Sequence, residues 1–404
     1  MFPEPEKLEE TTIVVNLLEW TRYCLERSQN RPIEIVFQSP FNDYQGFSGY
    51  RCMNPFIDLL FEESQRWRRV HLSLYSSQIE ELSLPKTLPF LEFFHLHVAD
   101  LSQFSYNLPP IVAPRLQELV FSDMLLPPNS GIPKFEVSVS PNLTNLYLSH
   151  VSVYSALQYL AQAPPTVSVN ADLAFYYQGP LMTVPITSRT SALTTVSGGD
   201  LTTVGLNDPL CDLFNNITSL PNVHLFDFTG NRCQGGPFPH ASFISFLSRR
   251  RPDETPITKL SFKRWIFEDE SLLQILNLLP ALEHLAINEN FSPALYNPFY
   301  YQDRTDRTLS GSFLRALCIP ANRSASKCIL PRLKNLTLIF EKEVDYEAVE
   351  DLIRSRRRNS QCTGLGGVNV SRLDHVSISV PRKLADLEDI EMLQMMDGVI
   401  VKSV

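Results

Sequence analysis

A chain of 404 residues, 44% hydrophobic and 20% charged, is too long for one ordinary core and has the balance of a folded polypeptide. Its net charge of −9 argues against general nucleic-acid binding and against an anionic membrane surface as a partner. The seven cysteines, Cys24, Cys52, Cys211, Cys233, Cys318, Cys328 and Cys362, contain no Cys-x-x-Cys pair. An odd, scattered set of thiols is expected to stay reduced, which points to the cytoplasm and/or the nucleus. The opening Met1-Phe2-Pro3-Glu4 lacks the basic and apolar stretches of a secretory leader, and no run reaches the roughly 18 apolar residues of a membrane span.

In chain order, residues 11–30 predict a helix that Thr11 or Thr12 can cap, with Val14, Leu17, Leu18, Tyr23 and Leu25 as its apolar positions. Residues 31–37 then read as a strand, Ile57 to Phe61 as a helix, and Trp67 to Leu74 as the strand of a first full unit. From there a Pro-x-Leu-x-x-Leu-x-Leu phrase recurs about every 24 to 27 residues. Clear copies begin at Pro89, Pro114, Pro141, Pro280 and Pro331, and a looser one at Pro221. Between Leu143 and Val223 lies a gap of about three periods, for which Val167 and the Leu193 to Val196 run are the best candidates for two degenerate units. Residues 288–312 and 359–368, rich in Pro, Asn and Gly, read as loop excursions.

Each Leu-x-Leu run alternates apolar and polar, as a half-buried strand should. The segments between carry helical spacing instead: Phe243 to Leu247, Leu272 to Leu279, and Tyr346 to Ile353. Two of these end in basic clusters, Arg249-Arg250-Arg251 and Arg354 to Arg358, read as complementing the helix dipole ahead of a basic docking site. Strand, turn and helix repeated in this way predict an α/β leucine-rich-repeat solenoid. The expected shape is a horseshoe, with a parallel strand ladder on the concave face and helices on the convex face. The expected organisation is an acidic tail and helix over residues 1–30, an irregular solenoid of about 11 to 12 units over 31–380, and an amphipathic capping segment over 381–404 with Leu384, Leu387, Ile390 and Leu393.

No phosphate-cradling glycine loop, Gly-x-Ser-x-Gly elbow or His-Glu-x-x-His helix occurs, so no catalytic residue, metal site or cofactor is expected. His95-Leu96-His97 is the one close histidine pair; without a nearby Cys or carboxylate, partner contact or solvation is favoured over metal ligation. Residues flanking the central apolar strand position should face the concavity. They include His71, Tyr75, His95, His97, Tyr147, Asp227, Lys263 and Asn288, with Ser73, Ser122, Ser149 and Ser377 beside them. Small polar residues with a few aromatic anchors on rigid strands suit a protein partner.

Beyond the generic repeat, Trp20…Leu25-Glu26-Arg27-Ser28…Arg31-Pro32-Ile33, followed by Ser64-Gln65-Arg66-Trp67-Arg68-Arg69-Val70, is similar to segments that introduce the leucine-rich repeats of mushroom-type (basidiomycete) F-box proteins. Ala113 to Leu116, Leu279 to Leu285 and Leu330 to Leu333 continue the likeness, which covers roughly residues 15 to 380. The resemblance implies a non-catalytic substrate-recognition module of a cullin-type ubiquitin ligase. The F-box that family members carry upstream has no counterpart in residues 1–15, so the Skp-type adaptor and cullin are implied as partners only if an F-box is supplied. The alternative is a stand-alone repeat protein for binding or assembly. In either case the expected partner is a protein on the concave face of a monomer, with neither nucleic acid nor membrane involved.

Overall fold

A computed structural model describes residues 5–38, 54–75, 78, 86–98, 112–122, 141–151, 153–164, 167–174, 186–187, 192–198, 209–230, 238–265, 267–289, 309–319, 328–340, 344–358, 370–381 and 387–403. In it the Pro-x-Leu phrases are turns. Leu91 N donates to Leu88 O, Leu116 N to Ala113 O, Val223 N to Leu220 O, Leu282 N to Leu279 O and Leu333 N to Leu330 O, at 3.0–3.3 Å. Proline therefore sits at the second turn position, where its fixed φ is pre-set for the bend. The flanking apolar residues on both sides of each turn are buried. One amide then hooks each turn to its neighbour: Glu92 N to Arg68 O, Gln117 N to Glu92 O, Thr144 N to Gln117 O, and later Thr258 N to His224 O, Glu283 N to Thr258 O and Lys334 N to Glu283 O, all 2.8–2.9 Å.

The chain divides into two compact units, Met1–Ala171 with Tyr176–Leu181, and Asp172–Phe175 with Met182–Val404. In the first, α1 (Pro5–Arg27) leads into β1 (Ile33–Gln38), α2 (Asn54–Glu62), β2 (Trp67–Leu74), β3 (Phe93–Val98), β4 (Glu118–Ser122), β5 (Asn145–Val151) and α3 (Val153–Gln162). Strands β1 to β5 pair in parallel and in sequence order. Register puts Val70, Phe94, Leu119 and Leu146 in one row and Leu72, Leu96, Phe121 and Leu148 in the next, all buried. Burying each such side chain contributes about 1.5–3 kcal/mol. Helix α1 begins at Pro5, a residue suited to a first turn, so Thr11 and Thr12 lie inside it and do not cap it. Tyr23, with Trp20 and Val15, is exposed on it.

The phrases that carry the family resemblance form one clasp. Arg66, in a short 3-10 turn (Ser64–Arg66), donates to Arg31 O at 3.1 Å, to Ser28 Oγ and to Leu25 O, and pairs with Glu63 at 2.7 Å. Ser28 Oγ in turn donates to Leu25 O at 2.6 Å, and buried Trp67 donates from Nε1 to Leu60 O at 3.1 Å. A planar guanidinium with five N–H donors reaches all four acceptors here, a fork that a lysine ammonium cannot reproduce. Arg66→Ala is expected to cost about 1–3 kcal/mol, read by urea unfolding, with early hydrogen exchange at residues 25–33; Arg66→Lys should recover only part of it.

Strand β6 (Ser168–Ala174) spans the division between the units. The second unit holds β7 (Ile186–Thr187), β8 (Ala192–Gly198), α4 (Pro209–Asn216), β9 (Ile217–Ser219), β10 (Leu225–Thr229), α5 (His240–Ser248), β11 (Lys259–Lys263), α6 (Asp269–Asn277), β12 (His284–Asn288), α7 (Gly311–Ala316), β13 (Asn335–Ile339), α8 (Tyr346–Arg358), β14 (His375–Val380), α9 (Leu387–Gln394) and β15 (Val399–Ser403). Strands β8, β10 and then β11 to β15 form a parallel ladder, and the short β7–β9 pair lies apart from it. Helices α4 to α8 pack in succession. The inner strand residues meet them: Phe226 and Phe228 of β10 contact the ring of Phe243 on α5, and Phe228 also that of Phe214 on α4. The α/β leucine-rich-repeat ladder is thus present in each unit, with strand residues of opposite parity left facing outward.

The two basic clusters, expected to complement the helix dipoles, also make specific hydrogen bonds. Arg249, at the end of α5, donates to Phe214 O at 2.7 Å and Ile217 O at 3.3 Å, and Arg250 to Leu220 O and Thr255 O. Arg356 is wholly buried and donates to Leu317 O, Leu330 O and Ile329 O. Each ties the end of its helix to main-chain carbonyls of neighbouring turns and helix ends. At the C-terminal end, Ile390 and Leu393 of α9 are buried as an amphipathic segment requires, but the chain then adds β15 to the ladder, a strand not expected from the sequence. Gly398 makes that turn: its φ is +67°, and a Cβ there would lie 2.8 Å from Asp374 O. The loop excursions proposed at 288–312 and 359–368 fall mostly outside the described residues.

Candidate functional site

The outward parity of the first unit's ladder gathers most of the anticipated contact residues. Register places His71, His95, Val120 and Tyr147 side by side across β2 to β5, continued by Val36 of β1. A second outward row holds Ser73, His97, Ser122 and Ser149. His71 and His95 touch, with ring centroids 4.1 Å apart. His97 Nδ1 and Ser73 Oγ hydrogen-bond at 2.8 Å, and His95 Nε2 and Ser122 Oγ at 3.0 Å. Each histidine is half-buried, while Val36 is 82% exposed and Tyr147 36%. The rim row is charged: Glu34 beside Arg69, whose guanidinium lies over Phe93 at 4.8 Å, then Glu118. Ahead of it Arg68 and Glu92 pair at 2.9 Å.

One anticipated residue falls elsewhere. Tyr75 is buried, at 8% exposure, and is not a face residue. It follows the last residue of β2, and its amide donates to the side chain of buried Gln78 at 3.0 Å, so the chain turns back here and strand parity no longer applies. Ser73 is likewise buried, beneath the imidazole it bonds. Conversely, the sequence reading passed over Val36, Arg69, Phe93 and Val120. Val36 had a usable signal, since it breaks the alternation of Ile33 and Ile35 with an apolar residue on the outward parity.

Asp227, Lys263 and Asn288 belong to the second unit's own outward face. Lys263 Nζ pairs with Asp227 Oδ2 at 2.7 Å, and Asn288 stands opposite Lys263 in register. The other Asp227 oxygen and the Ser261 hydroxyl are buried without a hydrogen-bond partner among the described residues. Gly230 follows at close quarters: its amide donates to Lys263 O at 2.7 Å, and a Cβ would stand 2.3 Å from Arg264 O.

Burial pushes the His71 imidazole below its ordinary value, and His97 adds a smaller electrostatic push the same way. Burial, then Lys259, lower His284 likewise. Both groups start from about 6.5 in the unfolded chain. As pH falls through that value the unfolded state takes up protons that the folded state refuses, so stability is retained above it and lost below. Urea midpoints are expected to fall as pH drops from about 7.5 to about 5.5. His71→Asn should flatten that fall; an unchanged slope would remove His71 from the account.

Chemically, the face offers imidazole and hydroxyl hydrogen bonds, aromatic and apolar area, and few charges. Among the described residues no group of three His, Cys, Asp or Glu side chains is placed to hold a metal ion, and no helix is long and apolar enough to cross a membrane.

No protein-family model matches the chain. No curated protein matches it either. Among solved structures, it is similar to the leucine-rich repeat-containing protein LegL7 from Legionella pneumophila, at 14% identity over 73% of this chain and 83% of that one, with a TM-score of 0.34.

Proposed function

We propose that this protein is a non-catalytic interaction scaffold that presents the strand face of its first unit to a protein partner. We further propose that it is the substrate-recognition part of a cullin-type ubiquitin ligase of the mushroom F-box kind, acting as a monomer in the cytoplasm or nucleus. The observation that carries the scaffold reading is the row His71–His95–Val120–Tyr147. Ladder hydrogen bonds fix its backbone, so a partner meets pre-ordered side chains and little ordering entropy is lost on binding. Asp227, Lys263 and Asn288 act as a secondary contact on the second unit's own face. The ligase reading rests on the Trp20 to Ile33 and Ser64 to Val70 phrases. The Arg66 clasp supports treating these as one structural signature, since it joins them physically.

Affinity purification of the tagged chain from its own cells, beside Tyr147→Ala, tests both layers. The partner on the face should be retained by the wild type and weakened roughly tenfold by Tyr147→Ala, the effect of losing one aromatic anchor. A Skp-type adaptor and cullin in the wild-type eluate support the ligase role. Retention of a Tyr147-dependent partner without them sinks that role and leaves a stand-alone binding scaffold.

A further inference from the structure

Resting on that reading of the first unit's face, we propose that its occupant is a protein segment free of carboxylates and that acidification releases it through His71, His95 and His97. Among the described residues, the charged groups around the trio are Glu34 on β1, Arg68 and Arg69 on β2, Glu92 just ahead of β3, and Glu118 on β4; the Tyr147 phenol is the titratable group on β5. With the imidazoles neutral, three carboxylates outweigh two guanidiniums among these described groups. An acidic segment meets net repulsion there, and an uncharged or basic one does not.

Protonation reverses this balance. His71 and His95 are in ring contact at 4.1 Å, so two imidazolium charges would sit against each other, and His97 would add a third on the same strand as His95. An occupant that covers the face also strips water from rings already half-buried, which favours their neutral form. The bound state then holds fewer protons than the free state, and linkage requires affinity to fall with pH. The existing downward push on His71 acts in the same direction.

Random peptides displayed on phage and selected against the full chain at about pH 7.5 are the probe, re-measured at about pH 5.5. Peptides whose binding needs Tyr147 should be poor in Asp and Glu. They should weaken in acid by up to about tenfold for each histidine that must stay neutral. The triple variant His71→Gln, His95→Gln, His97→Gln should bind at the higher pH and lose the acid response. Circular dichroism at both pH values checks that wild type and variant stay folded. Should the triple variant not fold, His95→Gln alone and histidine titration by NMR in the free and peptide-bound chain replace it, with bound-state values expected lower. Tyr147-dependent peptides rich in carboxylates, or binding that is unchanged or tighter in acid, overturn the inference and leave the docking face standing. Failure to select any Tyr147-dependent peptide overturns the docking face and the inference with it.

Discussion

Replacing Arg356 with methionine is expected to destabilise the second unit by about 3–5 kcal/mol, far more than loss of a surface arginine. The side chain is wholly buried at the C-terminal end of α8, and its guanidinium donates to Leu317 O and Leu330 O at 2.9 Å and also to Ile329 O. Those carbonyls belong to the end of α7 and to the turn that starts the next strand, so one side chain ties down the whole crossover into β13. Methionine fills a similar volume but leaves two buried acceptors, Leu317 O and Leu330 O, and the half-buried Ile329 O without this donor, each buried one at a cost of about 1–3 kcal/mol before relaxation. Lysine keeps the charge yet cannot fork to three carbonyls, so Arg356→Lys should lose much of the same stability. Because repeats communicate only with neighbours, unfolding should lose cooperativity, the Leu309 to Val404 end melting ahead of the rest. Urea unfolding with hydrogen exchange reads both effects. A loss below about 1 kcal/mol would mean that water replaces the guanidinium and that the clasp is incidental.

This arginine also marks the limit of what could be read from sequence. The cluster Arg354 to Arg358 is visible as charge at a helix end, and dipole complementation is the natural inference. The true acceptors are main-chain carbonyls, which any residue supplies, so nothing at positions 317, 329 or 330 announces them. The ladder was legible for the opposite reason. Proline at the second turn position and leucine at each inward position are demands on residue type, and they recur wherever the turn and strand recur. Even the worn units showed: Val167 is buried just ahead of β6, and Leu193 is buried in β8. Strand β15 was missed because a single short Val-Ile-Val run after an amphipathic helix has no phrase of its own. The face was legible only as far as parity held. It placed His71, His95, His97 and Tyr147 on one side, with Ser73 on that side too but buried against His97, and failed at Tyr75, which follows the end of β2 and is buried. Contacts between residues, such as the pairing of each histidine with a serine one repeat away, depend on register and have no local signal.

Phe228→Ala should approach the effect of losing Arg356, at about 3–5 kcal/mol, and by a different route. Phe228 lies among five rings: Phe214 on α4 at 5.6 Å, Phe226 beside it at 5.3 Å, Phe238 at 5.5 Å, Phe243 on α5 at 5.3 Å and Phe262 on β11 at 5.8 Å. Where β12 to β14 place Ile287, Leu338 and Ile378 at this inward position, β10 and β11 place phenylalanines, and the rings meet edge-on or offset in the arrangements their quadrupoles favour. Truncation to alanine leaves a cavity that rigid strand backbones on both sides cannot close. Phe228→Leu should cost less, about 1–2 kcal/mol, since it restores most of the volume and loses the ring–ring terms. Because Phe228 joins the rings of α4 and α5 to that of the next strand, its loss should not add to that of Phe262. The double variant Phe228→Ala, Phe262→Ala should fall short of the summed single effects by at least about 0.5 kcal/mol in urea unfolding. Strict additivity would mean that the two repeats hold separate cores and that the aromatic layer does not couple them.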